Sequence, residues 1–183
     1  MRLKADPALR KVLHGLYIAL FKARQTCPGD FPDGYLTRIL TAIMGIEDCG
    51  WRVIGITREA LDALATNDFN KNKLHSKLCR GHKIDRIKTT RELFDREKPM
   101  KLDEFFKVFL RNDQTVIMLN EQNNHTKPFP KFIKIDNPDA ELFPNGSLMG
   151  WKHRKKEREY LRQLHSSLSV GRRVARSETR RRF

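Results

Sequence analysis

Two short polar stretches contain the residues whose types and spacing could do chemistry. The first is Arg80-Gly81-His82, and the second covers residues 120–125, which include Asn123 and His125. A histidine titrates near neutral pH, so His82 could take a proton from water. Asparagine, histidine and carboxylate side chains can hold a divalent ion beside a phosphate. These residue types predict hydrolysis of a phosphodiester, with His82 as the general base.

The first stretch resembles a known motif. Arg80-Gly81-His82 is similar to the Arg-Gly-His part of the Asp-Arg-Gly-His motif of nonspecific DNA/RNA endonucleases, and Cys79 stands where that motif has Asp. Those enzymes belong to the His-Me finger (ββα-metal) class, which includes the HNH endonucleases. The resemblance implies that His82 ends the first strand of a hairpin and activates water.

The same resemblance assigns roles to residues further along the chain. It implies that Thr115–Leu119 forms the second strand and that Asn123 or His125 binds a divalent metal such as Mg²⁺. It also implies that Arg80 clamps the phosphate of the substrate. The site would then need a metal cofactor and would make the protein a metal-dependent endonuclease.

Structural roles explain the same residues without catalysis. Gly81 can provide a bend in the backbone, and His82 can cap a turn. Asparagine favours the ends of helices through bonds from its side chain to the backbone, which accounts for the Asn-rich run after Leu119. On this alternative the central stretch is scaffold.

A zinc site is a further alternative. His75, Cys79 and His82 have ligand-like spacing. A structural zinc usually needs four ligands, so Cys27 or Cys49 would have to complete the site from a distance.

The elements that must position these residues are mostly helical. Apolar residues recur at three- and four-residue spacing in several segments, and short β-branched runs lie between them. Thr57 is expected to cap a helix, and Thr89 with Glu92 forms a Thr-x-x-Glu capping box. Helices are predicted from Pro7 to before Pro28 and at Tyr35–Met44, Arg58–Thr66, Thr90–Arg96, Leu102–Leu110 and Trp151–Leu168. Strands are predicted at Trp51–Ile56, Thr115–Leu119 and, at an edge, Phe129–Ile135.

These elements predict an α+β fold, mostly helical, in one domain with a small β element. Phe105, Phe106 and Phe109 fall on one face of a predicted helix and are expected in the core. We expect the globular domain to cover residues 1–168. The low hydrophobicity and high charge of residues 169–183 predict a disordered basic tail.

The net charge of +15 is concentrated at the C-terminal end. The last 33 residues contain twelve Lys or Arg and three Glu, a net charge of +9. A clustered basic footprint favours binding of DNA or RNA. A solvated tail, an anionic membrane surface or a ribosome is the alternative. The predicted nucleic-acid-binding residues are Lys152, Arg154, Lys155, Lys156, Arg158, Arg172, Arg173, Arg180, Arg181 and Arg182.

Several observations bear on cellular location. No stretch approaches the ~18 apolar residues of a spanning helix, and the N-terminus lacks the pattern of a secretory signal. The three cysteines have no Cys-x-x-Cys spacing, which favours a reducing compartment. The sequence thus predicts a cytoplasmic protein, with association to the nucleoid as one option. The alternative to an endonuclease is a non-catalytic DNA- or RNA-binding regulator or accessory factor, or a ribosome-associated protein.

Overall fold

The computed structural model describes residues 6–47, 49–74, 76–124, 126–146 and 150–180, without the side chains of residues 170–180. Within these residues there are α-helices, two short 3₁₀ helices and four strands. The α-helices are α1 Pro7–Thr26, α2 Asp33–Met44, α3 Arg58–Ala65, α4 Arg86–Phe94, α5 Leu102–Asn112 and α6 Lys155–Arg180. The strands are β1 Arg52–Ile56, β2 Leu78–His82, β3 Gln114–Leu119 and β4 Ile133–Lys134, and the 3₁₀ helices are Lys71–Leu74 and Asn120–Gln122.

The four strands form one mixed sheet in the order β2-β3-β1-β4. Strand β3 runs antiparallel to β2 and parallel to β1, and β4 joins the other edge of β1 antiparallel. The β2–β3 register pairs His82 with Thr115. The last residue of β2 therefore lies beside the start of β3, directly after Asp113.

Two hydrophobic cores lie on either side of this junction. Helices α1, α2, α4 and α5 enclose the first core, which contains Tyr17 and Phe94. The sheet packs with α3 and α6 around the second core, which contains Ile117 and Leu161. Helix α5 ends in the first core and leads straight into β3, so Asp113 lies where the two cores meet.

The predicted fold class is confirmed: the chain is an α+β protein, mostly helical, with a small sheet. Phe105, Phe106 and Phe109 are buried as expected. Thr57 caps α3, where its Oγ1 accepts from the N–H of Ala60 at 3.3 Å. Strand β4 is the predicted edge strand, although it is shorter than the alternating pattern indicated.

The predicted capping box at Thr89 is wrong. Helix α4 begins one turn earlier, and Thr89 is buried inside it. Glu92 bonds away from the helix start, because its carboxylate accepts from Arg111 at 2.6 Å and from Asn112 at 2.7 Å. Glu92 therefore joins α4 to the end of α5.

The C-terminal helix differs from its predicted bounds at both ends. It starts at Lys155 rather than Trp151 and continues through Arg180, past the predicted end at Leu168 and into the segment expected to form a tail. Glu157 holds the start, since its buried carboxylate accepts from the backbone N–H of Arg154 and of Phe143. None of the described helices is both long enough and apolar enough to cross a membrane.

Candidate active site

The centre of the candidate site is a histidine–carboxylate pair. His82 Nε2 lies 2.9 Å from Oδ1 of Asp113, and the two side chains are 9% and 5% exposed. Because a carboxylate oxygen only accepts, Nε2 carries a proton in this bond, and in the neutral tautomer the lone pair is then on Nδ1. An aspartate that fixes the tautomer and orientation of a histidine is the arrangement of general bases in hydrolases.

Trp51 holds this pair from its other side. Its backbone N–H donates to Oδ2 of Asp113 at 2.6 Å, so each carboxylate oxygen has a donor. Its indole meets the His82 imidazole edge to face, with ring centroids 4.4 Å apart. Trp51 has a φ of 55°, in the left-handed region that residues other than glycine rarely adopt. Strained backbone of this kind concentrates at functional sites.

Arg80 does not have the geometry of a phosphate clamp. It is buried, and its guanidinium donates to the carbonyl oxygens of Trp51 and Gly150 and to Oδ1 of Asn145. Burial lowers the pKa of Arg80 to about 10, and the nearby charge of Asp113 acts in the opposite direction. Because the guanidinium donates to oxygens of the protein, Arg80 supports the backbone of Trp51 and Gly150 next to the dyad.

His82 lies between two cavities. The smaller, of about 20 Å³, is lined by His82, Asp113, Arg86 and threonines that include Thr89 and Thr90. That volume suits a single water molecule, and the wall supplies polar partners for it. The wall also includes Leu40, Trp51 and Phe109, so this side of the dyad is small and only partly polar.

The larger cavity, of about 200 Å³, opens on the other side of His82. Lysine ammonium groups and side-chain amides dominate its wall. Asn123 is exposed there, and its Oδ1 would lie 3.0 Å from a Cβ built on Gly81, next to His82. The structure thus brings two predicted site residues, His82 and Asn123, to the same cavity. The remaining lining residues are Lys83, Asp85, Lys88, Gln122, Asn124, Lys127, Phe129 and Pro130.

The described residues of this cavity are a poor fit for Mg²⁺. The Gln122 Oε1 already accepts from Thr57 and from the Leu119 N–H, and the Asn124 Oδ1 accepts from Thr126. Asp85 is the cavity's one described carboxylate, and it lies 3.5 Å from the ammonium of Lys88.

Mg²⁺ prefers octahedral oxygen donors with carboxylates among them. The described part of the chain contains no group of three or more His, Cys, Asp or Glu that could hold a metal. His125, the other ligand that the resemblance implied, lies outside the described residues, as does His75 of the alternative zinc site.

The predicted nucleic-acid-binding residues lie in and around α6. Lys152, Arg154, Lys155 and Lys156 are exposed, and Arg158 is half-buried. Arg154 also forms an ion pair with Glu157 at 2.8 Å, so its charge is partly neutralised at the start of the helix. The side chains of Arg172, Arg173 and Arg180, and all of Arg181 and Arg182, lie outside the described residues.

Asp113 is the site residue that sequence reasoning missed. It is 31 residues from His82, and in the sequence it reads only as the polar end of a helix. One signal was present: an aspartate two residues before a predicted strand that was expected to pair with the strand of His82. Trp51 gave no such signal, because its contribution comes from a backbone N–H.

Comparisons with known proteins found no family model that matches this chain and no curated protein or solved structure that resembles it.

Proposed function

We propose that the protein binds nucleic acid and hydrolyses phosphodiester bonds, with His82 as the general base. The observation that carries the proposal is that His82, bonded on its other side to Asp113, lies in the wall of a cavity rimmed by Lys83, Lys88 and Lys127. A base poised beside ammonium groups suits a substrate that is anionic and must be attacked by water. The concentration of charge at the C-terminal end supports a polyanionic substrate.

The reaction follows from these groups. Water attacks phosphorus in line, its proton passes to Nδ1 of His82, and the bond to the leaving ester oxygen breaks. Solvent protonates that oxygen. Asp113 stabilises the imidazolium that forms, and the lysines offset charge on the phosphate oxygens. No step is assigned to a metal, because the described donor set does not fit one.

Plasmid nicking tests the proposal. Purified protein should relax supercoiled plasmid or cut RNA, and His82→Ala should lower the rate by about 10²–10⁴-fold, the usual contribution of a general base. His82→Ala should still shift DNA in a gel. His165→Ala is the matched control, because His165 also pairs with a carboxylate, Asp62 at 3.2 Å, away from the cavity. Reactions with Mg²⁺, with Mn²⁺ and with EDTA determine whether the metal that the resemblance implies is required.

The second candidate is a non-catalytic nucleic-acid-binding protein. The low exposure of His82 and Asp113 favours it, because a buried hydrogen-bonded pair can simply join the end of α5 to the sheet. Binding without cutting under every metal condition, together with unfolding of His82→Ala, would establish this candidate and overturn the hydrolase.

A further inference from the structure

The cavity beside His82 combines positive charge with an exposed aromatic ring. Lys83, Lys88 and Lys127 contribute the charge, and Phe129 contributes a ring that is 38% exposed. A phosphate site alone would need only the lysines. The ring adds an apolar surface at the same opening, and this pairing of features is the footprint of nucleotides rather than of inorganic anions.

The ring of Phe129 is supported from behind. It meets Phe132 edge to face, with centroids 6.3 Å apart and an interplanar angle of 88°. Phe132 is itself seated on the sheet at Gly55, where an added Cβ would lie 2.2 Å from its Cδ2. Because Gly55 has no side chain, the ring of Phe132 can pack directly on β1. The ring of Phe129 in turn packs against Phe132. A ring held in this way is pre-organised to stack.

We propose that this cavity is a binding site for single-stranded nucleic acid, in which a base stacks on Phe129 while the adjoining phosphates lie against Lys83, Lys88 and Lys127. The proposal rests on the proposed function for its nucleic-acid substrate and narrows it to unpaired strands. In a duplex the faces of a base are covered by its neighbours, so an aromatic platform can be used only by a base outside the stack. The amide groups of Asn123 and Asn124 lie at the same wall and can bond base or sugar edges.

The test is equilibrium binding, measured on the full chain by fluorescence anisotropy at fixed salt. The probes are an oligothymidylate and an oligouridylate of about twelve nucleotides, within the usual site sizes of single-strand-binding folds, and a duplex of equal length. Phe129→Ala should weaken single-strand binding roughly tenfold and leave duplex binding nearly unchanged. Phe129→Trp should restore it. The two single-stranded probes separate DNA from RNA.

Two matched controls separate stacking from general effects. Tyr35→Ala removes another exposed ring that also contacts a phenylalanine, Phe31, and it should not change affinity. Lys107 is an exposed lysine on α5, and it does not line this cavity. Lys88→Gln should therefore weaken single-strand binding more than Lys107→Gln does. Polyglutamate should compete poorly, because it offers charge without bases.

The outcomes distinguish this inference from the hydrolase. Equal loss of affinity for single and double strands, or none with Phe129→Ala, overturns the stacking site even if His82-dependent cutting is found. A selective loss in Phe129→Ala supports it even if the protein never cuts. Competition by polyglutamate as strong as by oligothymidylate would show an unspecific anion site and would also overturn the proposal.

Discussion

Asp113 and Trp51 are joined by a 2.6 Å hydrogen bond from the backbone N–H of Trp51 to Oδ2, at a residue whose φ is 55°. The strained backbone thus donates directly to the carboxylate that orients His82. A residue in such a conformation costs about 1–3 kcal/mol, and it stays in that conformation only where its contacts with neighbouring residues hold it. Here the cations of Arg80 and Arg86 lie over the indole at 4.9 and 5.4 Å from its centroid and help to fix it.

Replacing the buried carboxylate should destabilise the protein. In Asp113→Asn one carbonyl oxygen replaces two carboxylate acceptors. If that oxygen accepts from the Trp51 N–H, His82 must change tautomer to accept from the amide NH₂, and if it accepts from His82, the Trp51 N–H has no acceptor. In both cases the charge-assisted bonds to the carboxylate are lost. A buried donor left without an acceptor costs about 1–3 kcal/mol. Urea unfolding measures the difference. Asp62→Asn, the half-buried partner of His165, is the control and should change the free energy of unfolding by less than about 0.5 kcal/mol. Similar values for the two variants would show that the dyad contributes nothing to folding.

The aromatic core of the helical layer should be sensitive to truncation. Phe106 and Phe109 are 4% and 5% exposed on the buried face of α5. Phe106→Ala and Phe109→Ala should each lower the free energy of unfolding by about 3–5 kcal/mol, through lost burial and the cavity left behind. Phe129→Ala, on the exposed ring, should change it by less than about 0.5 kcal/mol. Thermal melting close to that of the unaltered protein in either α5 variant would contradict the assignment of that face.

Stability should fall as the pH drops through the titration of His153. Its Nε2 lies 2.7 Å from the carbonyl oxygen of Phe69 and donates to it, and its Nδ1 faces the indole N–H of Trp151 at 3.4 Å. Burial, chiefly, holds the pKa of His153 below its ordinary value of 6.5.

As the pH falls below 6.5, His153 is therefore protonated in the unfolded chain before it is protonated in the folded protein. The contribution of neutral His153 to the free energy of unfolding is complete above that pH and is lost as the pH falls below it. His153→Gln keeps a donor for Phe69 and cannot titrate, so it should flatten the change between about pH 5 and pH 8. The pKa of Glu157 is also lowered, because its bonds to Arg154 and Phe143 outweigh burial, but its effect appears in more acidic solution. An unchanged slope in His153→Gln would place the pH dependence elsewhere.

Removing residues 169–183 should weaken nucleic-acid binding and flatten its dependence on salt. This segment contains six Arg and one Glu. Each phosphate contact contributes about 0.9 to the logarithmic salt slope on duplex DNA and about 0.7 on single strands. Affinity measured over a series of salt concentrations gives the slope. A full-length variant with the six arginines changed to glutamine separates charge from helix length, and an unchanged slope in both would exclude this segment from the interface.

The local patterns of the sequence predicted most elements, because they depend on spacing within one segment. The leucines of α1, the phenylalanines of α5 and the Thr57 cap all carry their signal within a few residues. The predicted Thr89 capping box is wrong, since α4 begins at Arg86 and Thr89 is buried inside it. The sheet order and the approach of α5 to β2 depend on contacts between distant segments, which no local pattern encodes.

In the candidate site, too, residue types and chain order were readable from the sequence, whereas contacts between distant segments were not. His82 and Asn123 were identifiable from residue type and order along the chain, and they meet at one cavity. Arg80 was predicted to bind phosphate from its residue type, whereas the structure buries it and bonds it to Trp51, Asn145 and Gly150. Asp113 reaches His82 only through the β2–β3 register.

That register has a consequence for the order of folding. Strands β2 and β3 are neighbours in the sheet, but α4 and α5 lie between them in the chain. His82 meets Asp113 only when a segment of 31 residues has closed and its helices have packed. Closing such a segment costs entropy before any contact across it is gained. The cations near the C-terminal end, by contrast, belong to one continuous segment of the sequence, and their charge does not depend on contacts across the fold. If the proposed function holds, a chain still completing its fold would attract nucleic acid before the proposed general base is assembled, and hydrolysis would be delayed until the two cores have joined.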